Sequence, residues 1–233
     1  MIKVTYVDHM GSDLSVVNAA RVSFNKKSDW MPKVHNGEKN VLLEKDRKLI
    51  QYLAAHRHTS PFGHCFASFH VVAPVFVARQ LVKHKFLRWN EVSRRYVDDE
   101  PEFYTPPVWR GRSADKKQGS DGVVDVKDFS FEYAIIGENT IPHAENRFNN
   151  HALSFYENLL EHGVAPEQAR MVLPQSMMTE WYWSGSLDAF ADMCRLRGMP
   201  DTQLESREVS AYISDKMYDL FPESWKALRG YGK

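Results

Sequence analysis

Apolar positions recur at two spacings along this chain, and the change from one spacing to the other divides it into elements. Residues 2–7 (IKVTYV) alternate loosely and predict a strand, which Gly11 breaks. Ser12 or Asp13 can cap a helix that carries Leu14, Val17 and Ala20 on one face and runs through AARVSF. Residues 25–41 are polar and turn-rich and read as a loop. A second helix over 44–56 has Leu49, Ile50, Leu53 and Ala54 as its apolar face. After a turn at 57–64, CFASFHVVA (65–73) has strand composition. Pro74 ends that strand and opens a helix as its first residue, with Phe76, Val77, Gln80, Leu81 and His84 at helical spacing. This helix is expected to carry Lys83, His84 and Lys85 at its C-terminal end, where the helix dipole favours cations.

Residues 86–128 hold no long helix, and RGRSADKKQGSDG (110–122) reads as an exposed, mobile insertion because it has little to bury. The longest helical pattern spans 141–163, with Ala152, Phe155, Leu159 and Leu160 as its apolar face and Gly163 as its stop. Pro166 opens a short helix closed by Pro174. MMTEWYWS (177–184) reads as an aromatic strand, and two helices follow over 187–196 and 204–221. Strands and helices do not alternate as they do in a doubly wound sheet, so the fold class is α+β.

Composition narrows the function. At 233 residues with 43% apolar content, the chain can build a real core as one domain or two small ones. Thirty basic residues balance thirty acidic ones, which argues against coating nucleic acid as the main task. The two cysteines, Cys65 and Cys194, form neither a disulfide framework nor a CxxC site, and a reducing cytoplasm is the expected compartment. No stretch approaches the roughly 18 apolar residues of a membrane span.

Against that neutral background, one stretch stands out. RQLVKHKFLRWNEVSRRY (79–96) holds six of the 30 Lys and Arg residues, together with His84, against one acid, Glu91. Gln80, Asn90, Ser93 and Tyr96 are interleaved. The pattern fits either a site for an anion or a solvated basic helix end. The familiar site chemistries do not claim it. His56, His58, His64 and His70 lack the spacing of a metal motif, so no metal site is expected. Ser93 lies near His84 and Glu91 but in no GxSxG elbow, which favours a hydrogen-bonding role over a nucleophilic one. There is no GxGxxG and no GxxxxGK[ST], so phosphate would have to be held by Arg and Lys side chains. Arg170 in ARMVLP, and Arg195 and Arg197 in RLRG, are further cations that taken singly read as surface charge.

Read together, K-H-K, seven residues and then Ser93 resembles the RHR-x7-S signature of the flavin-dependent thymidylate synthases, with both arginines replaced by lysine. More matches follow in order. DLSVVNAARVSF resembles the family's first helix, and HTSPFGHCFASFHVVAPVFVARQ its histidine-to-glutamine block. NEVSRRY resembles N-E-x-S-G-R-Y. ARMVLP followed by an aromatic strand, and LRGMPDTQLE, resemble the two C-terminal blocks. The resemblance covers most of residues 12–210. It implies mixed helices around a central antiparallel-type sheet in one domain over 1–233, assembled as a homotetramer with sites between subunits. It also implies synthesis of dTMP from dUMP, with methylenetetrahydrofolate as carbon donor and FAD reduced by NADPH as hydride source. In such chemistry the protein supplies positioning and charge rather than a nucleophile.

Residue by residue, the resemblance assigns Gln80, Glu91, Ser93, Arg95, Tyr96, Arg170 and Arg197 to dUMP. Arg95 and Arg170 would grip the phosphate, and Arg197 would lie against the uracil; Arg197 and Ser93 are the catalytic candidates. Ser23, His58, Ser60, Lys83, His84, Lys85, Asn90 and Glu91 fall at FAD-contacting positions. Ser186 and Asp192 stand where the family has two flavin-touching Asn, and Gln203 is a polar position near the nucleotide. Among the departures, Lys83 and Lys85 lose bidentate geometry, Gly63 replaces a Glu, and Asp192 brings a negative charge. Arg94 replaces a Gly, which would restrict the backbone if that position needs φ > 0. The lysines at 83 and 85 and Arg94 motivate a second reading, a nucleotide- or nucleic-acid-binding protein of the same fold that has lost catalysis. A metal-dependent nucleotide hydrolase is a third.

Overall fold

The structure is a computed structural model that describes residues 1–32, 40–97, 99–114, 119–124 and 144–230. In chain order the elements are β1 (Lys3–Met10), α1 (Asp13–Arg21), α2 (Glu44–Ala55), β2 (Phe66–Pro74), α3 (Val75–Leu81), β3 (Arg88–Glu91), β4 (Arg110–Arg112), β5 (Ser120–Val123), α4 (Ala144–Glu161), α5 (Pro166–Ala169), β6 (Met178–Ser186), α6 (Leu187–Arg197), α7 (Leu204–Leu220) and α8 (Pro222–Arg229). Four strands form an antiparallel sheet in the order β1-β2-β6-β3, and β4 and β5 form a separate pair.

The sheet divides the molecule because its strands alternate. Ala67, Phe69, Val71 and Ala73 of β2, with Trp181 and Trp183 of β6, are buried toward the helices. Phe190 of α6 meets Phe69 and Trp183 edge-on, at centroid distances of 5.3 and 5.8 Å. Trp89 of β3 stacks on Trp181 at 4.2 Å. Burying rings of this size stabilises by roughly 2–3 kcal/mol each, so this aromatic layer fixes the register of the sheet. The opposite face carries Thr5, His70, Tyr182 and Asn90 in register across all four strands.

Buried acids tie the helices together. Asp13 starts α1, yet its carboxylate accepts the backbone N–H groups of Glu223 and Ser224, at 3.0 and 2.9 Å, and so caps α8. Asp46 in the first turn of α2 accepts from Arg21 at 2.5 Å and from the Ser28 hydroxyl at 3.0 Å. Gly11, at φ 91°, turns the chain from β1 into α1, and a Cβ there would meet the Cys65 sulfur at 2.8 Å.

Four local expectations are corrected. Pro74 is the last residue of β2 and the N-cap of α3, not its first residue. That helix stops at Leu81, so Lys83, His84 and Lys85 lie in the turn beyond it, where His84 N–H donates to the Leu81 carbonyl. The start of the long helical pattern, 141–143, lies outside the described residues; the helix itself ends at Glu161, and Phe155 of its expected apolar face is exposed while Tyr156 is buried. The final helical run divides at Phe221, whose φ of −135° leaves the helical region, and Pro222 opens α8. Within 110–122, residues 115–118 lie outside the described set. The flanking β4 and β5 pair, and Arg110 donates to both carboxylate oxygens of the buried Glu205, at 2.7 and 2.8 Å. Burial works to raise the Glu205 pKa, but the Arg110 bonds and charge outweigh it and hold that pKa below the ordinary value.

Candidate functional site

The assigned residues gather in three places. The first lies where the end of α6 meets the turn after α3. Arg197 is in the last turn of α6, where a cation complements the helix dipole. Its Nε donates to His84 Nε2 at 3.0 Å, and its Nη2 donates to the Gln80 carbonyl at 2.9 Å. The Gln80 side chain in turn donates to Gln203 Oε1 and accepts from the Ser206 hydroxyl at 3.2 Å, so α3, α6 and α7 meet at one glutamine. Two bonds to different elements fix the plane of the Arg197 guanidinium.

His84 must be neutral at Nε2 to accept from Arg197. Burial, and then the positive charge of Arg197, push its pKa down to about 4, while Asp192 pulls the other way. The unfolded chain takes up this proton near 6.5, the folded chain only near 4. The stabilising contribution is therefore complete above pH 6.5 and is lost as pH falls from 6.5 to 4. An NMR titration of the imidazole is expected to give a midpoint well under 6.5 and, over that window, thermal stability should fall more steeply for the native chain than for His84→Asn. An ordinary midpoint near 6.5 would refute the neutral acceptor.

Asp192, in place of a family asparagine, is exposed and pairs with Arg195 at 2.6 Å, which offsets part of its charge. Ser186 is the N-cap residue of α6 and stands opposite Phe66 in the sheet. Lys83 and Lys85 are exposed.

The second place is the loop after β3 together with α5. Ser93 Oγ accepts the Arg95 N–H at 3.3 Å, and the Arg95 guanidinium lies 5.2 Å above the Tyr96 ring. Arg95 Nε is 3.9 Å from the Glu167 carboxylate, and Arg170 Nε donates to the Glu167 carbonyl at 3.3 Å. The two arginines assigned to phosphate thus converge on one residue. Nothing in the sequence pattern singled out Glu167; its presence in PEQAR, three positions before Arg170, was the available signal. Glu91 sits at the edge of the sheet, where it accepts from Trp89 Nε1 at 3.0 Å and from the Thr179 hydroxyl at 2.8 Å. Asn90 lies on the opposite sheet face beside Tyr182.

The third place is a cavity of about 990 Å³ whose walls include Ser23, His58, Ser60, Lys26, Lys45, Lys48 and Tyr52. Its donors suit a large anionic cofactor: the hydroxyls of Ser23, Thr59 and Ser60, three ammonium groups, Arg21 and the stacked rings of Tyr52 and His58. Lys45, Lys48, Leu49 and Tyr52 follow i, i+3, i+4, i+7 on α2, so their common face was legible, but it read as an ordinary helix surface. Of the four clustered histidines, His56 and His58 lie beside Tyr52, at centroid distances of 4.0 and 6.1 Å, and His70 lies 3.2 Å from Glu180.

The family model described as "Thymidylate synthase complementing protein" matches residues 5–223. A flavin-dependent thymidylate synthase of Thermus thermophilus is 37% identical over 225 residues, covering 97% of this chain and 74% of the relative. The chain belongs to the flavin-dependent thymidylate synthases. The Thermotoga neapolitana member is 36% identical over 228 residues, covering 98% of this chain and 91% of its own. A UMP/dUMP methylase from Streptomyces cacaoi, solved with 5-Br dUMP, superposes with a TM-score of 0.76 at 30% identity, covering 100% of this chain and 96% of that one.

As a flavin-dependent thymidylate synthase, the chain is an FAD-dependent methyltransferase that turns dUMP into dTMP with a folate carbon donor. The reading of a binding protein without catalysis is not favoured. FAD, when bound, supplies the hydride chemistry, which leaves positioning and charge to the protein.

Proposed function

We propose that dUMP is held by Gln80, Glu91, Ser93, Arg95, Tyr96, Arg170 and Arg197, with Arg95 and Arg170 on the phosphate and Arg197 against the uracil. FAD is assigned to Ser23, His58, Ser60, Lys83, His84, Lys85, Asn90, Glu91, Ser186 and Asp192, with NADPH as its reductant and methylenetetrahydrofolate as the carbon donor. One observation carries this reading: His84, from the flavin signature, accepts a hydrogen bond from Arg197, which also binds Gln80 of the nucleotide set. Two separate parts of the family pattern therefore meet at one side chain, which supports a flavin and a uracil lying side by side there.

The three groups of residues belong to different regions of the chain, and Phe148 and Phe155 of α4, with Met171 beside Arg170, are exposed. Both features support completion of each site by other subunits of a homotetramer. The chain is read as one domain with 110–122 as an insertion, acting in the cytoplasm. Among the described residues no helix is long and apolar enough to cross a membrane.

The test is spectral and chemical. Purified protein is expected to take up FAD, show the oxidised-flavin absorbance, bleach with NADPH, and form dTMP from dUMP and methylenetetrahydrofolate. Failure to bind flavin even at high added FAD would refute the proposal.

A further inference from the structure

Arg94 stands between two residues assigned to dUMP, where the family pattern has glycine. Its backbone is not left-handed: among the described non-glycine residues only Asn25 and Arg57 have positive φ. An arginine is therefore accommodated without strain, and its side chain has a place of its own. It is only 12% exposed, although Arg95 next to it is 50% exposed. Nη1 donates to the Asp99 carbonyl and lies 3.2 Å from the Asp99 carboxylate.

These bonds close a loop that is also tied at its start. The Ser93 carbonyl accepts the N–H groups of Tyr96 and Val97, at 2.9 and 3.2 Å, and Ser93 Oγ accepts that of Arg95. A guanidinium offers several donors in a rigid plane, so one side chain can hold two acceptors of the same residue. Glycine in its place would widen the range of loop conformations, and binding would have to pay that entropy. Because Arg94 points at Asp99, it is spent within the loop.

We propose that Arg94 is a positioning residue: it clamps the loop bearing Ser93, Arg95 and Tyr96, so that an incoming nucleotide phosphate meets a pre-set Arg95, while Arg94 itself touches no ligand. This rests on the assignment of Arg95 to the dUMP phosphate.

A double-mutant cycle tests it on the FAD-loaded enzyme. Arg94→Ala is expected to raise KM for dUMP about tenfold, the scale of one lost hydrogen bond, with kcat nearly unchanged. Arg94→Lys, which keeps one donor toward the Asp99 carbonyl, should recover part of the loss. In an Arg95→Ala background, the same Arg94→Ala change should add less than about threefold, because the phosphate-gripping cation that the clamp pre-sets is gone and only Ser93 and Tyr96 remain to be positioned. The flavin spectrum and thermal midpoint of each variant control for folding. A full tenfold effect in the Arg95→Ala background would mean that Arg94 contacts the nucleotide and would overturn the clamp, as would an unchanged KM in Arg94→Ala. An unchanged KM in Arg95→Ala would instead remove the phosphate assignment itself.

Discussion

Replacing Arg197 by alanine is expected to lower kcat for dTMP formation about 10²–10³-fold, the usual scale for removing one pre-aimed donor from a site of developing negative charge. Arg197 is fixed twice, through Nε to His84 and through Nη2 to the Gln80 carbonyl, so its orientation is set before any ligand arrives. Burial lowers its pKa, so its charge is partly desolvated, and would act more strongly on a uracil held beside it as proposed. Alanine removes that charge and leaves the two acceptors without their partner. Arg197→Lys keeps the charge but cannot form both bonds in the same plane, and should recover little of the rate. Single-turnover oxidation of NADPH-reduced FAD, with dUMP and methylenetetrahydrofolate present, separates this chemistry from binding. If Arg197→Ala turned over at the native rate, the assignment of Arg197 to the reacting base would be wrong.

The second large effect concerns affinity. Arg170→Ala is expected to weaken dUMP binding by roughly 2–4 kcal/mol, because it removes one partner of a charge-assisted pair with a phosphate. That corresponds to a loss on the order of 30- to 1,000-fold in Kd. The contacts of the two side chains show why Arg170 rather than Arg95 is the better test. Arg95 is partly engaged, 3.9 Å from the Glu167 carboxylate and against the Tyr96 ring, whereas Arg170 contacts Glu167 through the backbone carbonyl and keeps Nη1 and Nη2 for a phosphate. A phosphate must also displace the Glu167 carboxylate from Arg95, so Arg170 supplies the guanidinium that needs no exchange. Calorimetric titration of dUMP into the FAD-loaded protein measures the change, and native affinity in the variant would show that the phosphate lies elsewhere.

Much of the fold was legible because burial imposes period. The alternation in CFASFHVVA and MMTEWYWS marks two strands with one face inward, and both become central strands of the sheet. The helices over 44–56 and 187–196 are found within one residue of those bounds. What failed was local. The end of α3 depends on a turn that closes through the Leu81 carbonyl, not on the apolar period, which continues through His84. Phe155 fits the apolar stripe of α4 but is exposed in the single chain. The apolar period records spacing along the helix, not which neighbour covers each position.

The sequence by itself determined the element types, the family, and the residue types that nucleotide and flavin chemistry require, since these follow from spacing and from motifs read in order. Tertiary structure alone decided how the charges are used. Arg195 and Arg197 stand two positions apart in RLRG and look alike as letters. On α6 they point in different directions: Arg195 pairs with an exposed aspartate, and Arg197 turns inward to His84. Likewise Arg94 and Arg95 are adjacent cations, one folded back onto Asp99 and the other projecting toward Glu167. Charge is a property of a residue, but its availability depends on which partner the packed chain places beside it; Asp192 lies one helical turn from Arg195, whereas the partners of Arg197, Arg94 and Arg95 lie far away in sequence or beyond a turn.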